Sequence, residues 1–161
     1  MGTAFKLSTF KSDYRFLNLK SRHNFKQQIV LYTLSMTTTA AIVYPLKHIM
    51  NVQRPDKTDY KSFPSGHSAF AFATAEFLRR EFYQISPWIG VRAYTVATTI
   101  GVQRVINNKH YFTDVIAGAG IGVLASSASF LFYNSRKKAS SFMIQPYYQQ
   151  KIAGLYLIKS L

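Results

Sequence analysis

Two long stretches without a charged residue constrain this chain more than anything else in it. Gln27–Leu46 runs for 20 residues and Val115–Tyr133 for 19. A helix of about 20 apolar residues crosses the hydrocarbon core of a bilayer, so both stretches predict spanning helices. Gln27–Leu46 is rich in Thr and Ser, which predicts a helix packed against other helices rather than facing lipid alone. By length it also fits a buried helix of a soluble protein. Within the second stretch, Gly118 and Gly122 have the GxxxG spacing that lets membrane helices approach closely. A dinucleotide-binding loop does not fit these glycines, because no strand precedes them and the fingerprint is incomplete.

Two more helices lie between. One is predicted from Ser65 to Phe82, where Ala69, Ala71, Ala73 and Ala75 suit close packing and Glu76 needs a partner if buried. Arg79, Arg80 or Arg92 could supply it, and the reading is structural. The other runs from Trp88 to Arg104 and is interrupted by Arg92. The last helix is predicted from His110 to Tyr133, stopped by Arg136-Lys137-Lys138. The fold class is therefore all-α: a membrane-embedded bundle of about four core helices, with its functional site at one end. A basic arm (1–26) precedes a helical domain (27–138), and a tail (139–161) follows without an assigned role. The arm lacks an apolar run long enough for a cleavable signal peptide.

Charge narrows the partners. Twenty Lys and Arg face six Asp and Glu, a net charge of +14. Nucleic acid, an anionic membrane surface or a phosphorylated substrate would each explain that balance. The absence of cysteine excludes disulfides, thiolate metal sites and a cysteine nucleophile.

The chemistry gathers at the ends of the helices. In Phe63-Pro64-Ser65-Gly66-His67, Pro and Gly mark a turn and Ser65 is a candidate N-cap. The helix N-terminus that follows is a ready anion site, where Gly66 permits close approach and His67 adds an imidazole. Lys47 and Arg54 lie near the end of the first helix, and would share a face if that helix persisted to Gln53. Arg104 lies at the end of the third. His110 and Asp114, spaced i, i+4, would meet on one helical face. An Asp bonded to one imidazole nitrogen leaves the other as a base or nucleophile. Up-down-up-down topology brings all these residues to one end.

Lys47-x6-Arg54-Pro55, Pro64-Ser65-Gly66-His67 and Arg104-x5-His110-x3-Asp114 together resemble the three-part signature of the phosphatidic acid phosphatase type 2 superfamily. That superfamily includes membrane lipid phosphatases, soluble acid phosphatases and vanadium haloperoxidases. The resemblance implies that His110 attacks phosphorus to form a phosphohistidine, and that Asp114 orients it. It implies that His67 protonates the leaving oxygen and later activates water. Lys47, Arg54, Ser65, Gly66 and Arg104 would hold the phosphate, with fixed cations in place of a metal and no cofactor. Gln103 stands where the family usually has serine, and its amide can also donate to phosphate. Membrane members commonly have six spanning helices, against the four read here. His23 and His48 lie outside the signature and are read as structural.

The positive-inside rule orients the bundle. Six cations of the arm, with Arg79, Arg80, Arg92, Arg136, Lys137 and Lys138, put twelve on the far side before the tail. The site's side holds six: Lys47, Arg54, Lys57, Lys61, Arg104 and Lys109. The site is thus expected to face the periplasm from a bacterial inner membrane, taking a phosphorylated lipid and no nucleic acid. Lipid A, undecaprenyl pyrophosphate, phosphatidylglycerol phosphate and phosphatidic acid all fit, and the look of the chain leans toward the lipid A phosphatases. The alternatives are a soluble acid phosphatase or haloperoxidase with the same site, and a non-enzymatic basic anion-binding module. The last explains the charge but not a His–Asp pair aligned with two further motifs.

Overall fold

The computed structural model describes residues 21–139, 142–149 and 152–159, so most of the basic arm lies outside the described residues. Four helices follow in order: α1 (Phe25–Met50), α2 (Gly66–Phe82), α3 (Pro87–Ile106) and α4 (Phe112–Ala139). The tail, unassigned from sequence, forms two antiparallel strands, β1 (Phe142–Gln149) and β2 (Ile152–Lys159), in register from Phe142–Lys159 to Gln149–Ile152.

Local chemistry sets the helix limits. α1 begins two residues before the expected Gln27, where the Gln27 side chain accepts the Asn24 N–H at 3.2 Å. It ends at Met50 because Asn51 adopts the left-handed conformation, φ 45°. Arg54 therefore lies in a loop, and the shared helical face expected for Lys47 and Arg54 does not form. α3 starts with Pro87 in its first turn, where a missing N–H costs nothing. α4 runs through Arg136-Lys137-Lys138 to Ala139 instead of stopping there. Cations suit the negative end of a helix dipole, so they accompany the last turns rather than breaking them.

α2 is the centre of the bundle, packed on α4, α3 and α1. The α2–α4 contact is backbone-close. A Cβ on Gly118 would lie 2.4 Å from the Ser65 carbonyl oxygen, and one on Gly122 would lie 2.1 Å from that of Ala69. Ala69 and Ala73 are fully buried opposite these glycines. Polar contacts supplement this seam. Ser35 and Thr39 are buried and donate within α1 to Leu31 O (2.9 Å) and Ser35 O (2.8 Å). Glu76 is buried and accepts from Arg79 Nε (2.7 Å), Arg80 Nε (2.5 Å), Tyr94 Oη (2.7 Å) and Ser127 Oγ (3.0 Å), tying α2 to α3 and α4. Arg92 takes no part in this network. It lines a groove between α2 and α3 instead. At the same end, Glu81 is completely buried and accepts from the His23 N–H (2.7 Å) and from Gln28 Nε2 (3.1 Å), with His23 Nδ1 at 2.7 Å. His23 thus anchors the start of α1, whereas His48 is exposed.

The outer surface is apolar. Val30 and Ile42 of α1, Val91 and Val96 of α3, and Leu124 and Leu131 of α4 are all exposed. α1 and α4 are each long and apolar enough to cross a membrane. The bundle is membrane-embedded, with lipid as the natural solvent for this surface.

The glycine seam makes a sharp prediction. Gly122→Ala forces a methyl group against a backbone carbonyl, so it should destabilise the detergent-solubilised bundle by about 1–3 kcal/mol or more. Gly120 faces open space, and Gly120→Ala should leave thermal unfolding unchanged or slightly raised, because alanine is the better helix former. Thermal melts of the two variants check this.

Candidate functional site

Three chain segments converge where α1 and α3 end and α2 and α4 begin. The loop from Val52 to Pro64 is fastened on both sides. Ser62 N donates to Val52 O (2.9 Å), and Asp56 N donates to Asn108 O (3.1 Å) in the α3–α4 connection. Lys109 Nζ donates to Asp56 Oδ2 at 2.6 Å. That bond, with those from Thr58, holds the Asp56 carboxyl far below the usual carboxylate range. The loop is thereby strapped to the connection that carries His110.

Ser65 caps α2 as expected. Its backbone N–H donates to Asp114 O (3.0 Å), and its buried Oγ accepts from the Ser68 hydroxyl (3.0 Å) and, at 3.5 Å, from Ser68 N. The Ser65 proton itself remains available for donation. The first N–H groups of α2, at Gly66 and His67, have no partner within the helix, and both residues line a cleft of about 580 Å³. Lys47, Arg54 and His110 line the same cleft. Lys47 Nζ donates to Lys61 O (2.9 Å) and Pro64 O (2.7 Å), which leaves one of its three protons free. Arg54 Nε lies 2.8 Å from Asp59 Oδ1, an ionic contact rather than an aligned hydrogen bond.

Among the described residues, three buried side-chain polar atoms lack a hydrogen-bond partner: Arg54 Nε, Arg104 Nε and His110 Nδ1. All three belong to residues singled out from the sequence. Buried donors are normally paired, and two guanidinium Nε atoms without an aligned acceptor, one of them in ionic contact with Asp59, are donors that an anion at a helix N-terminus can engage. The charges of Lys47, Arg54 and Arg104 all act on His67, which is exposed at the mouth. Gln103 lies on an exposed position of α3 and does not line the cleft.

The His110–Asp114 pair differs from the expected arrangement. His110 precedes α4 and sits in the connection, so the two residues do not share a helical face. Its Nδ1 stands 3.7 Å from Asp114 Oδ2, too far for a hydrogen bond. Asp114 is in the first turn of α4 and its Oδ2 accepts the Tyr111 N–H at 2.9 Å, one half of a capping box. The same oxygen accepts the hydroxyl of buried Ser62 at 2.5 Å. Ser62 went unnoticed in the sequence because a serine three residues before a helix cap carries no pattern; only the fold brings it to Asp114.

Burial, with Lys47 and Arg54 nearby, lowers the His110 pKa to about 4 against the pull of the Ser62 backbone and of Asp114. His110 is therefore neutral at pH 7, as a base or nucleophile must be. The folded state binds this proton more weakly than the unfolded chain, so its contribution to stability is complete above the ordinary pKa of 6.5 and is lost as pH falls through about 4. Unfolding midpoints should drop across that window, with a flatter slope in His110→Ala. The guanidinium Nε atoms without an aligned acceptor predict a second result. Arg54→Gln and Arg104→Gln should each weaken inorganic phosphate binding about tenfold or more, since hydrogen bonds to charged groups contribute about 1.5–3 kcal/mol. Isothermal titration checks it.

A lipid A 1-phosphatase of Porphyromonas gingivalis is 38% identical over 104 residues, which is 65% of this chain and 23% of that protein. A probable lipid phosphate phosphatase 4 of Arabidopsis thaliana is 33% identical over 93 residues, 51% of this chain and 30% of that protein. The chain thus spans less than a third of the length of either relative. In fold it is similar to the crystal structure of Aquifex aeolicus LpxE, with a TM-score of 0.59 at 24% identity over 78% of both chains. Residues 28–138, which hold all four helices' packed core and every residue of the site, match the family model, and the chain belongs to the PAP2 superfamily.

Proposed function

We propose that the chain is a phosphatase of a membrane lipid, working through a phosphohistidine on His110 without a metal. The observation that carries this reading is a single cleft with two characters. One end presents Lys47, Arg54, Gly66, His67 and His110, and the rest is walled by residues such as Met36, Val43, Phe70 and Ile100. From Gly66 to Thr74 the cleft follows α2 for about 12 Å, at 1.5 Å per residue. A phosphate headgroup suits the first part and an acyl chain the second.

The chemistry follows from placement. Nδ1 of His110 is turned to Asp114, so Nε2 is the attacking nitrogen. It forms the P–N bond as the P–O bond to the lipid breaks, and His67 gives a proton to the leaving oxygen. Water then attacks phosphorus and passes a proton to His67. The P–N bond breaks and inorganic phosphate leaves. Lys47, Arg54, Arg104, the Ser65 hydroxyl and the free N–H groups near Gly66 stabilise the charge that builds on the phosphoryl oxygens. Asp114 balances the imidazolium.

The name of the Porphyromonas gingivalis relative favours lipid A as the substrate type; undecaprenyl pyrophosphate, phosphatidylglycerol phosphate and phosphatidic acid share the required chemistry. The excess of Lys and Arg away from the site favours a site that faces the periplasm. Phosphate release from a panel of these lipids, by detergent-solubilised protein with a chelator present, tests the reading. His110→Ala should lose about three orders of magnitude or more in rate. Equal release by both proteins would refute the phosphohistidine, and dependence on an added metal would refute the metal-free route.

A further inference from the structure

The carboxylate that faces His110 is held from an unexpected side. Asp114 Oδ2 accepts two hydrogen bonds, from Ser62 Oγ at 2.5 Å and from Tyr111 N at 2.9 Å, while His110 Nδ1 stands 3.7 Å away with no partner. Ser62 is completely buried, and its own N–H is fixed to Val52 O. It therefore couples the loop that carries Arg54 to the carboxylate beside His110. Once Nε2 of His110 is phosphorylated, the ring is cationic and its Nδ1–H needs an acceptor. The Ser62 backbone is one acceptor beside the ring, and Asp114 is the charged one, which engages Nδ1 by closing from 3.7 Å to about 3 Å. The position from which it closes is set by its other two donors.

We propose that Ser62 is a positioning residue: its hydroxyl holds Asp114 Oδ2 and sets how strongly that carboxylate engages His110. The Ser62 hydroxyl touches neither substrate nor the reacting atoms, although the Ser62 backbone lies against the His110 ring and favours its protonated form; the role of the hydroxyl in turnover rests on the hydrolytic reading above. Without the hydroxyl, Oδ2 carries more unshared charge and, held only by the Tyr111 N–H, swings more readily toward Nδ1. The imidazolium gains stability before any phosphate arrives, and the ring loses its fixed orientation. The charged and titratable groups around His110 are Lys47 of α1, Arg54 of the loop, His67 of α2, Arg104 of α3 and Asp114 of α4. The Ser62 variant changes none of them.

The test reads the histidine directly as well as the rate. In histidine-labelled protein followed by NMR, Ser62→Ala should raise the proton affinity of His110 about threefold to tenfold, with kcat down about tenfold and KM within twofold of native. Combined with Asp114→Asn, the Ser62→Ala change should produce no further shift in either readout, because its action passes through that carboxylate. Ser62→Cys keeps the shape and weakens the donor, so it should move both readouts the same way by less, including where the alanine variant fails to fold. A folded variant with native titration and native kcat overturns the proposal, as does an equal effect of Ser62→Ala in the Asp114→Asn background. If the native protein releases phosphate from no substrate while the titration still moves, the hydrolytic reading falls and the Ser62–Asp114–His110 coupling stands.

Discussion

The close approach of α2 and α4 is the constraint on which the rest depends. Gly118 and Gly122 leave no room for a side chain against Ser65 and Ala69, so two helix backbones meet directly. The first of these contacts lies immediately beneath the site. Ser65 caps α2 there, and its N–H reaches the carbonyl of Asp114. One seam thus decides both how the helices pack and where the helix N-terminus stands relative to the His110–Asp114 pair. In a lipid solvent, with little hydrophobic drive between helices, close van der Waals contact of this kind carries much of the association.

The polar groups divide into two sets with different jobs. At the end away from the site, buried Glu76 is matched by Arg79 and Arg80 of its own helix and by the hydroxyls of Tyr94 and Ser127, and buried Glu81 by the backbone and ring of His23 and the Gln28 amide. At the site the balance is deliberately unfinished. Lys47 keeps one free proton, while Arg54 and Arg104 keep buried donors without acceptors. Such donors cost stability unless an anion answers them. The acidic residues of the loop temper the cost from outside. Asp59 sits against Arg54, and Asp56 against Lys109.

Much of this was legible in the residues. The uncharged stretches foretold α1 and α4, the GxxxG spacing foretold a close helix contact on α4, and Ser65 foretold its own role as a cap. The three motifs named the family because their order and spacing are rare by chance. Other features were not legible. Nothing local places His110 outside the helix that carries Asp114, because the i, i+4 spacing suits a helix equally well. Arg136-Lys137-Lys138 looks like a stop yet is compatible with a helix end. Nor does composition reveal that the tail pairs as β1 and β2.

What the sequence determined by itself is what depends on residue type and short spacing: helical spans from uncharged length, close packing from glycine and alanine, a cationic phosphate-like cluster from three motifs. Only the tertiary structure decided the distances between groups far apart in the chain. Ser62 and Asp114 are 52 residues apart in sequence and 2.5 Å apart in space. The 3.7 Å gap between His110 and Asp114 reflects the loop, the capping geometry and the α2–α4 seam acting together. The physical reason is one of range. Periodicity and propensity act over a few residues, whereas the protonation and orientation of a histidine are set by every charge and donor packed around it, whatever its position in the chain.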